Sequence, residues 1–345
     1  MKVTIKDIAR ETGLSPSTVS LVLNHKPCRI PQSTKDLVFE VAEKLNYRPN
    51  MVAQSLVTQK SKTIGLIIPD IENAFFSSLS KSVEDYAREH GYMVLLMNNH
   101  DKHSVNLEVI DLLLSRNVDG LIMVAANESY QKENQNELKK VLKNIQTPCI
   151  LVDRVFDDID AHKVYFDNQL GGYKATKHLI ENGHQKIACI TGPTGTKSSD
   201  LRLKGFYQAI EEANLSIEPQ LIVEGDYYFD SGRKQVRNLI KHDFTAIFVF
   251  NDLMALGAMS ALHELEYKVP DDLSLIGYDH FALSTMLNMK LDSIDQNSKL
   301  LGGAACNILF QELNKKDLMN DIKDICLEPQ LVIHGSVISI DSSCR

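Results

Sequence analysis

Polar and aromatic side chains recur directly behind short apolar runs in this chain. TIGLII (63–68) is followed by Asp70, Asn73, Phe75 and Phe76, and CILV (149–152) by Asp153 and Arg154. AIFVF (246–250) leads into Asn251 and Asp252, LSLIG (273–277) into Asp279, and LDSI (291–294) into Gln296. Carboxylates, amides and a guanidinium can hold hydroxyl groups with paired hydrogen bonds. Aromatic rings can lie against the apolar C–H face of a sugar. Taken singly, each residue has an ordinary explanation. Asp or Asn behind a strand often caps the next helix, and a pair of phenylalanines is more often core than site. As a set they suit a polyhydroxylated ligand.

Alternating elements must position that set. Apolar strands are expected at 63–68, 92–97, 119–124, 149–152, 186–191, 246–250 and 273–277. Amphipathic helices are expected at 76–90, 104–116, 170–182, 202–213, 231–241 and 252–265. Continuous apolar strands alternating with helices define an α/β fold with parallel sheet covered on both faces. Ligands of such folds bind beyond the carboxyl ends of the strands.

A small helical module precedes this region. Thr4 can cap a helix with Asp7 in its first turn, and Ile5, Ile8 and Ala9 fall on one face. Gly13 suits the left-handed turn that ends it. Ser15 followed by Pro16 starts a second helix, with Val19, Val22 and Leu23 inside. A third helix is expected from about Gln32 to Leu45, burying Leu37, Val38, Val41 and Leu45. Such a trio is either a plain bundle or a helix-turn-helix. In the second case Pro16, Ser17, Ser20 and Leu21 face base edges in the major groove. Asn50 can then cap a helix over 51–57, too short to be stable without a partner.

Residues 1–60 hold nine Lys/Arg and five Asp/Glu, a charge of +4; the whole chain carries −8, which leaves −12 for the remainder. A basic head on an acidic body confines contact with a polyanion to the head. No apolar run approaches the roughly 20 residues of a membrane span, and no signal peptide is visible. A cytoplasmic protein without membrane contact is expected. The six cysteines form no CxxC, and reduced thiols are expected.

TIKDIARETGLSPSTVSLVLN (4–24) resembles the N-terminal motif of the lactose/galactose-repressor (LacI) family. NYRPNMVAQSLVTQKSKTIGLIIPD (46–70) resembles that family's hinge and core entry. The resemblance implies that Ser15, Thr18 and Asn24 meet phosphates and that Pro16, Ser17 and Leu21 face bases. It also implies that Leu56 wedges into a minor-groove base step. Thr4, Ser20, His25, Tyr47, Asn50 and Ala53 complete the expected DNA-facing set. Residues 61–340 look like the two-lobed periplasmic sugar-binding-protein fold. IENAFF (71–76), VDR (152–154), RLKGF (202–206), GDY (225–227), FND (250–252), GYD (277–279) and IDQ (294–296) match its ligand motifs, nearest the ribose-binding type. On that match Asn73, Asp153, Arg154, Arg202, Asn251, Asp279 and Gln296 hold hydroxyls, and Phe75, Phe76 and Tyr227 sandwich the ring. Tyr227 departs from the usual phenylalanine, and Ala74 from the usual proline.

The domains expected are a headpiece (1–48), a hinge helix (49–60) and a core (61–345). The core has one lobe of about 61–162 and 292–326 and another of about 163–291 and 327–340, with chain crossings near 160–164, 290–294 and 325–329. GPTGTKS (192–198) lacks the spacing of a phosphate loop. His100 and His103 have no acidic partner in register for a metal, and no nucleophile–base set appears. The tail LVIHGSVISIDSSCR lacks the heptads of a tetramerising coiled coil. No enzyme activity, cofactor or metal is therefore expected. The protein is read as a homodimer on double-stranded operator DNA, repressing a sugar operon, ribose foremost, with sugar in the cleft altering operator affinity. Alternatives are a global carbon-catabolite regulator using a phosphorylated carrier protein, a regulator of another sugar or of a purine, and a transporter's binding protein or sugar enzyme.

Overall fold

The computed structural model describes residues 3–24, 29–49, 55, 58–281, 289–314 and 322–340. The chain divides into two compact units, Met1–Ser61 and Lys62–Arg345. In the first, α1 (Ile5–Thr12), α2 (Pro16–Leu23) and α3 (Gln32–Lys44) enclose Ile8, Val19, Val22, Val38, Val41 and Ala42. The Thr4 backbone N–H and hydroxyl both donate to the Asp7 carboxylate, at 3.0 and 2.7 Å. Gly13 takes the left-handed conformation at φ 71° that closes α1. Ser15 Oγ accepts the Thr18 N–H at 3.1 Å and caps α2. Leu37, expected inside, is 42% exposed. The buried stripe runs Val38–Val41–Ala42, and Leu37 is rotated about 100° from Val38. Ser15→Ala should cost the headpiece about 1 kcal/mol, read as roughly five-fold faster amide exchange in α2. Unchanged exchange there would show that Ser15 is not the cap.

Asn50, Ala53 and Leu56 of the expected hinge, and His25, lie outside the described residues. Ser55 and Thr58 have helical backbone, and the Gln59 N–H donates to the Ser55 carbonyl at 2.8 Å.

The second unit contains two six-stranded sheets. The first is built from β1 (Thr63–Ile68), β2 (Met93–Asn98), β3 (Gly120–Met123), β4 (Cys149–Val152), β5 (His162–Phe166) and β11 (Asp324–Leu327), all parallel, in the order β11-β5-β4-β3-β1-β2. Ile64, Leu66 and Ile68 meet α4 (Ala74–Glu89) and α11 (Ser298–Asn314) on one face. Ile67, Leu121 and Met123 meet α5 (His103–Ser115) and α6 (Lys132–Asn144) on the other. Both faces being covered explains why β1 is buried at all six positions.

The second sheet contains β6 (Ile187–Thr191), β7 (Ile222–Glu224), β8 (Ala246–Val249), β9 (Ser274–Asp279), β10 (Asp292–Asp295) and β12 (Gln330–Val332). Its order is β12-β10-β9-β8-β6-β7, with only the β10–β12 pair antiparallel. Helices α7 (Asn168–Glu181), α8 (Lys197–Glu212), α9 (Phe229–Leu239) and α10 (Asp252–Glu264) pack on it. Helices α7 and α8 approach backbone to backbone. A Cβ on Gly172 would come within 2.1 Å of the Arg202 carbonyl oxygen, and one on Gly205 within 2.0 Å of that of Gln169. This close crossing fixes where Arg202 leaves α8.

Two lobe boundaries differ from those expected. Strand β5 pairs with β4 and β11, so the chain leaves the first lobe after Phe166, not near 162. Strand β10 pairs with β9, so Asp292–Asp295 belong to the second lobe and the return crossing falls at 296–297. These segments are short and half polar, and a period of two fits the margin of either sheet. The third crossing lies between β11 and β12.

Candidate functional site

The carboxyl ends of the strands in both sheets open on one cavity of about 200 Å³. That is small beside the roughly 300–1,000 Å³ of drug-sized sites and suits a ligand of one ring. All ten residues expected around a ligand line it: Asn73, Phe75, Phe76, Asp153, Arg154, Arg202, Tyr227, Asn251, Asp279 and Gln296. Asp101, Ser198 and Tyr228 also line it and were not anticipated. Asp101 follows β2 by the same strand-end pattern that marked the others. Ser198 sits in the glycine-containing segment discarded as a phosphate loop.

The aromatic floor lies in the first lobe. Phe75 and Phe76 meet edge to face, 5.3 Å apart at 70°, and the Arg154 guanidinium sits 5.4 Å above the Phe76 ring. Arg154 is buried and forms an ion pair with Asp101 while donating to the Ala125 carbonyl at 3.2 Å. Asn73 Oδ1 accepts the Phe75 N–H at 3.0 Å, so this residue is both a lining group and the cap of α4.

Arg202 is the centre of the second wall. Its Nε donates to Asn168 Oδ1 at 2.8 Å, Nη1 donates to the Phe250 carbonyl, and Nη2 lies 3.8 Å from Asp279 Oδ1. The guanidinium carbon stands 3.7 Å from the centre of the Tyr278 ring, which is completely buried. Gln296 Nε2 donates to Asp279 Oδ1 at 2.9 Å. Burial pushes the Asp279 carboxyl up to about 7, against the opposing pull of Arg202 and the Gln296 hydrogen bond. Burial also raises Asp153, opposed by Arg154 and Arg202.

Asn251 caps α10 through Met254 N–H, at 2.9 Å, and its Nδ2 donates to the Tyr227 carbonyl at 2.9 Å. It thereby holds Tyr227 at φ 72°. Asp101, Asp153 and Asp279 also have positive φ, at 57°, 63° and 100°. Left-handed backbone in non-glycine residues costs about 1–3 kcal/mol each and persists where surrounding contacts impose it. Two buried polar atoms of lining residues, Tyr227 Oη and Gln296 Oε1, have no hydrogen-bond partner, a costly state; the Tyr227 hydroxyl packs over Gly192. Asp252 does not join the lining. Its carboxylate accepts from Ser293 Oγ at 2.8 Å and the Phe281 N–H at 3.2 Å, tying β10 to the segment after β9.

In the headpiece, Thr4, Ser15, Pro16, Ser17 and Leu21 are exposed, and Thr18, Ser20, Asn24 and Tyr47 are half-buried. Ser15 and Thr18 hydroxyls lie 2.8 Å apart, and Asn24 Nδ2 donates to the Ser20 carbonyl at 2.8 Å. Tyr47 packs against the three-helix core.

Comparison with known proteins defines the class. The model of bacterial regulatory proteins of the lacI family matches residues 4–50, and that of periplasmic binding proteins and the sugar-binding domain of the LacI family matches 61–325. The chain belongs to the LacI family of DNA-binding transcription regulators. It is 35% identical over 336 residues to the HTH-type transcriptional repressor PurR of Aliivibrio salmonicida (strain LFI1238), covering 97% of this chain and 98% of that protein. It is 36% identical over 325 residues to catabolite control protein A of Priestia megaterium, covering 93% and 96%. The lac repressor dimer bound to operator and the anti-inducer ONPF superposes with a TM-score of 0.84 at 27% identity, over 98% of this chain and all of that one. A LacI family regulator from Enterococcus faecium with bound ribose gives 0.70 at 26% identity, over 81% of this chain and 100% of that one. Among the described residues no helix is long and apolar enough to cross a membrane.

Proposed function

We propose that this regulator is a homodimeric repressor of a sugar uptake or catabolism operon, with a monosaccharide of the ribose type as effector. The observation that carries this reading is the cleft. Side chains from both lobes converge on a small cavity with an aromatic floor, two arginines, the Asp153 and Asp279 carboxylates and the Asn73, Asn251 and Gln296 side chains. A ring with apolar faces and a hydroxyl rim fits such a site better than an elongated or wholly apolar ligand. The headpiece residues Ser15, Thr18 and Asn24 are assigned to operator phosphates, and Pro16, Ser17 and Leu21 to base edges. A ligand gripping both lobes favours their closed arrangement, and its differential affinity for the two arrangements sets the change in operator affinity.

A thermal-shift panel of ribose, other pentoses, fructose, guanine and hypoxanthine tests the effector. A ribose shift lost in Asp279→Ala supports the reading, and a shift with the purines alone sinks it. A response to a phosphorylated carrier protein, with none to any free sugar, would favour the catabolite-control type, as the relative from Priestia megaterium suggests.

Asp279 also makes the site pH-dependent. Its ordinary value is about 3.9, so the folded value of about 7 is raised. Ionising it therefore costs the empty protein stability as pH climbs from about 4 to 7. A ligand hydroxyl donating to the carboxylate favours the ionised form. Affinity should then be flat above about pH 8 and fall towards tenfold per unit well below 7, with a proton released on binding. Calorimetry from pH 5.5 to 8.5 in two buffers of different ionisation heat checks this. Affinity that rises as pH falls would contradict the hydrogen-bond role given to Asp279.

A further inference from the structure

The charge of the cleft bears on which form of sugar it admits. Its lining contains six carboxylates against two guanidiniums, a formal charge of −4. Four of the acids belong to the entrance region: Glu72 and Asp226 are exposed, and Asp70 and Asp101 are half-buried. Both cations are already engaged. Arg154 is ion-paired with Asp101 and flanked by Asp153, while Arg202 donates Nε and Nη1 to Asn168 Oδ1 and the Phe250 carbonyl and has Asp279 3.8 Å from Nη2. No lysine or histidine lines the cavity among the described residues; Lys197, near the cleft segment containing Ser198, is paired with Asp157 at 2.6 Å.

Phosphate recognition needs the opposite arrangement, with guanidinium or ammonium groups whose charge is still to be matched. A sugar phosphate entering here would bring a second anion beside each matched pair and pass an acidic mouth. A neutral polyol meets no such opposition, because its hydroxyls donate to the carboxylates and accept from the arginines. Resting on the sugar reading above, we infer that the cleft selects the free, uncharged monosaccharide over its phosphate ester, and that Asp101 enforces the choice by occupying Arg154. The regulator would accordingly sense the sugar before a kinase acts on it.

The test is a calorimetric comparison of matched pairs on the full-length protein at low salt: ribose and ribose 5-phosphate, glucose and glucose 6-phosphate, fructose and fructose 6-phosphate. For the sugar that binds, the phosphate should bind about 100-fold or more weakly, and the gap should shrink at 0.5 M salt as the rim charges are screened. Asp101→Asn should narrow the gap at least tenfold by releasing Arg154. Asp226→Asn, which removes an exposed charge but keeps an oxygen to accept the Tyr228 N–H, should narrow it less. A phosphate ester bound as tightly as its parent sugar, or more so, overturns the inference and leaves the sugar reading standing. Absence of binding by every member of every pair overturns the sugar reading, and the inference with it.

Discussion

Arg202→Leu should lower the unfolding free energy of the core by about 3–5 kcal/mol and abolish its thermal response to effector. The magnitude follows from what the guanidinium touches. It satisfies Asn168 Oδ1 and the Phe250 carbonyl, opposes the Asp279 carboxylate and covers the Tyr278 ring, with Arg202 itself buried in the cavity wall. Removing one partner of a buried charge pair leaves the other uncompensated, which is the costly case. Asp279 already titrates near 7 with Arg202 beside it, so without that cation its value must rise further. The sign is then fixed. A carboxyl whose folded value lies above its unfolded one opposes folding as it ionises, so the variant's deficit should be larger at pH 8 than at pH 5. Adding Asp279→Asn should recover about 1–2 kcal/mol and remove most of that pH dependence. Urea titrations of the wild type, both singles and the double variant at the two pH values decide it. A deficit equal at pH 5 and pH 8 would mean that Arg202 acts through packing alone.

The residues that were readable in the sequence are those for which one local rule suffices. A polar side chain behind an apolar run lies at the carboxyl end of a strand, and that position alone brought Asn73, Asp153, Asn251, Asp279 and Gln296 to one cavity. The competing explanation for Asn73 and Asn251 also holds, since both cap helices. Capping and lining are compatible because the helix N-terminus itself faces the cleft. Asp101 was missed although it obeys the same rule, because its importance lies in pairing with Arg154, 53 residues away, and no spacing within the chain reports that. The lobe assignment of β5 and β10 was missed for a related reason. Which sheet a four- or five-residue strand joins depends on partners elsewhere in the chain, not on its own pattern. In the headpiece, periodicity gave the inner faces of α1 and α2. It misassigned Leu37 because a flank residue beside a buried stripe has the same composition as one within it.

Asp292→Ala should destabilise the core on a similar scale, about 3–5 kcal/mol, by a route that bears on the crossing strands. Asp292 is fully buried at the start of β10. Its Oδ1 accepts the backbone N–H groups of His334, Gly335 and Ser336 at 2.7, 2.6 and 3.1 Å, and its Oδ2 lies 3.0 Å from His178 Nε2. The segment so held follows β12, the strand into which the third crossing leads, and β12 pairs with β10 itself. One carboxylate therefore anchors the far end of a crossing whose near end must flex if the lobes are to close. Burial pushes the carboxyl up, but the His178 and backbone hydrogen bonds outweigh it and hold the group below the ordinary carboxylate range. A depressed value means that the stabilisation is complete above the unfolded value of about 3.9 and is lost as pH falls through the folded one. The gap between wild type and variant should accordingly be full at pH 7 and shrink below about pH 4. Hydrogen exchange should show the amides of 334–336 losing protection in the variant before the rest of the second sheet. Asp292→Asn, which keeps an acceptor for those amides but not the charge, should fall between the two. A gap that persists undiminished at pH 3, or amides at 334–336 as protected in Asp292→Ala as in the wild type, would show that this carboxylate does not fasten the crossing.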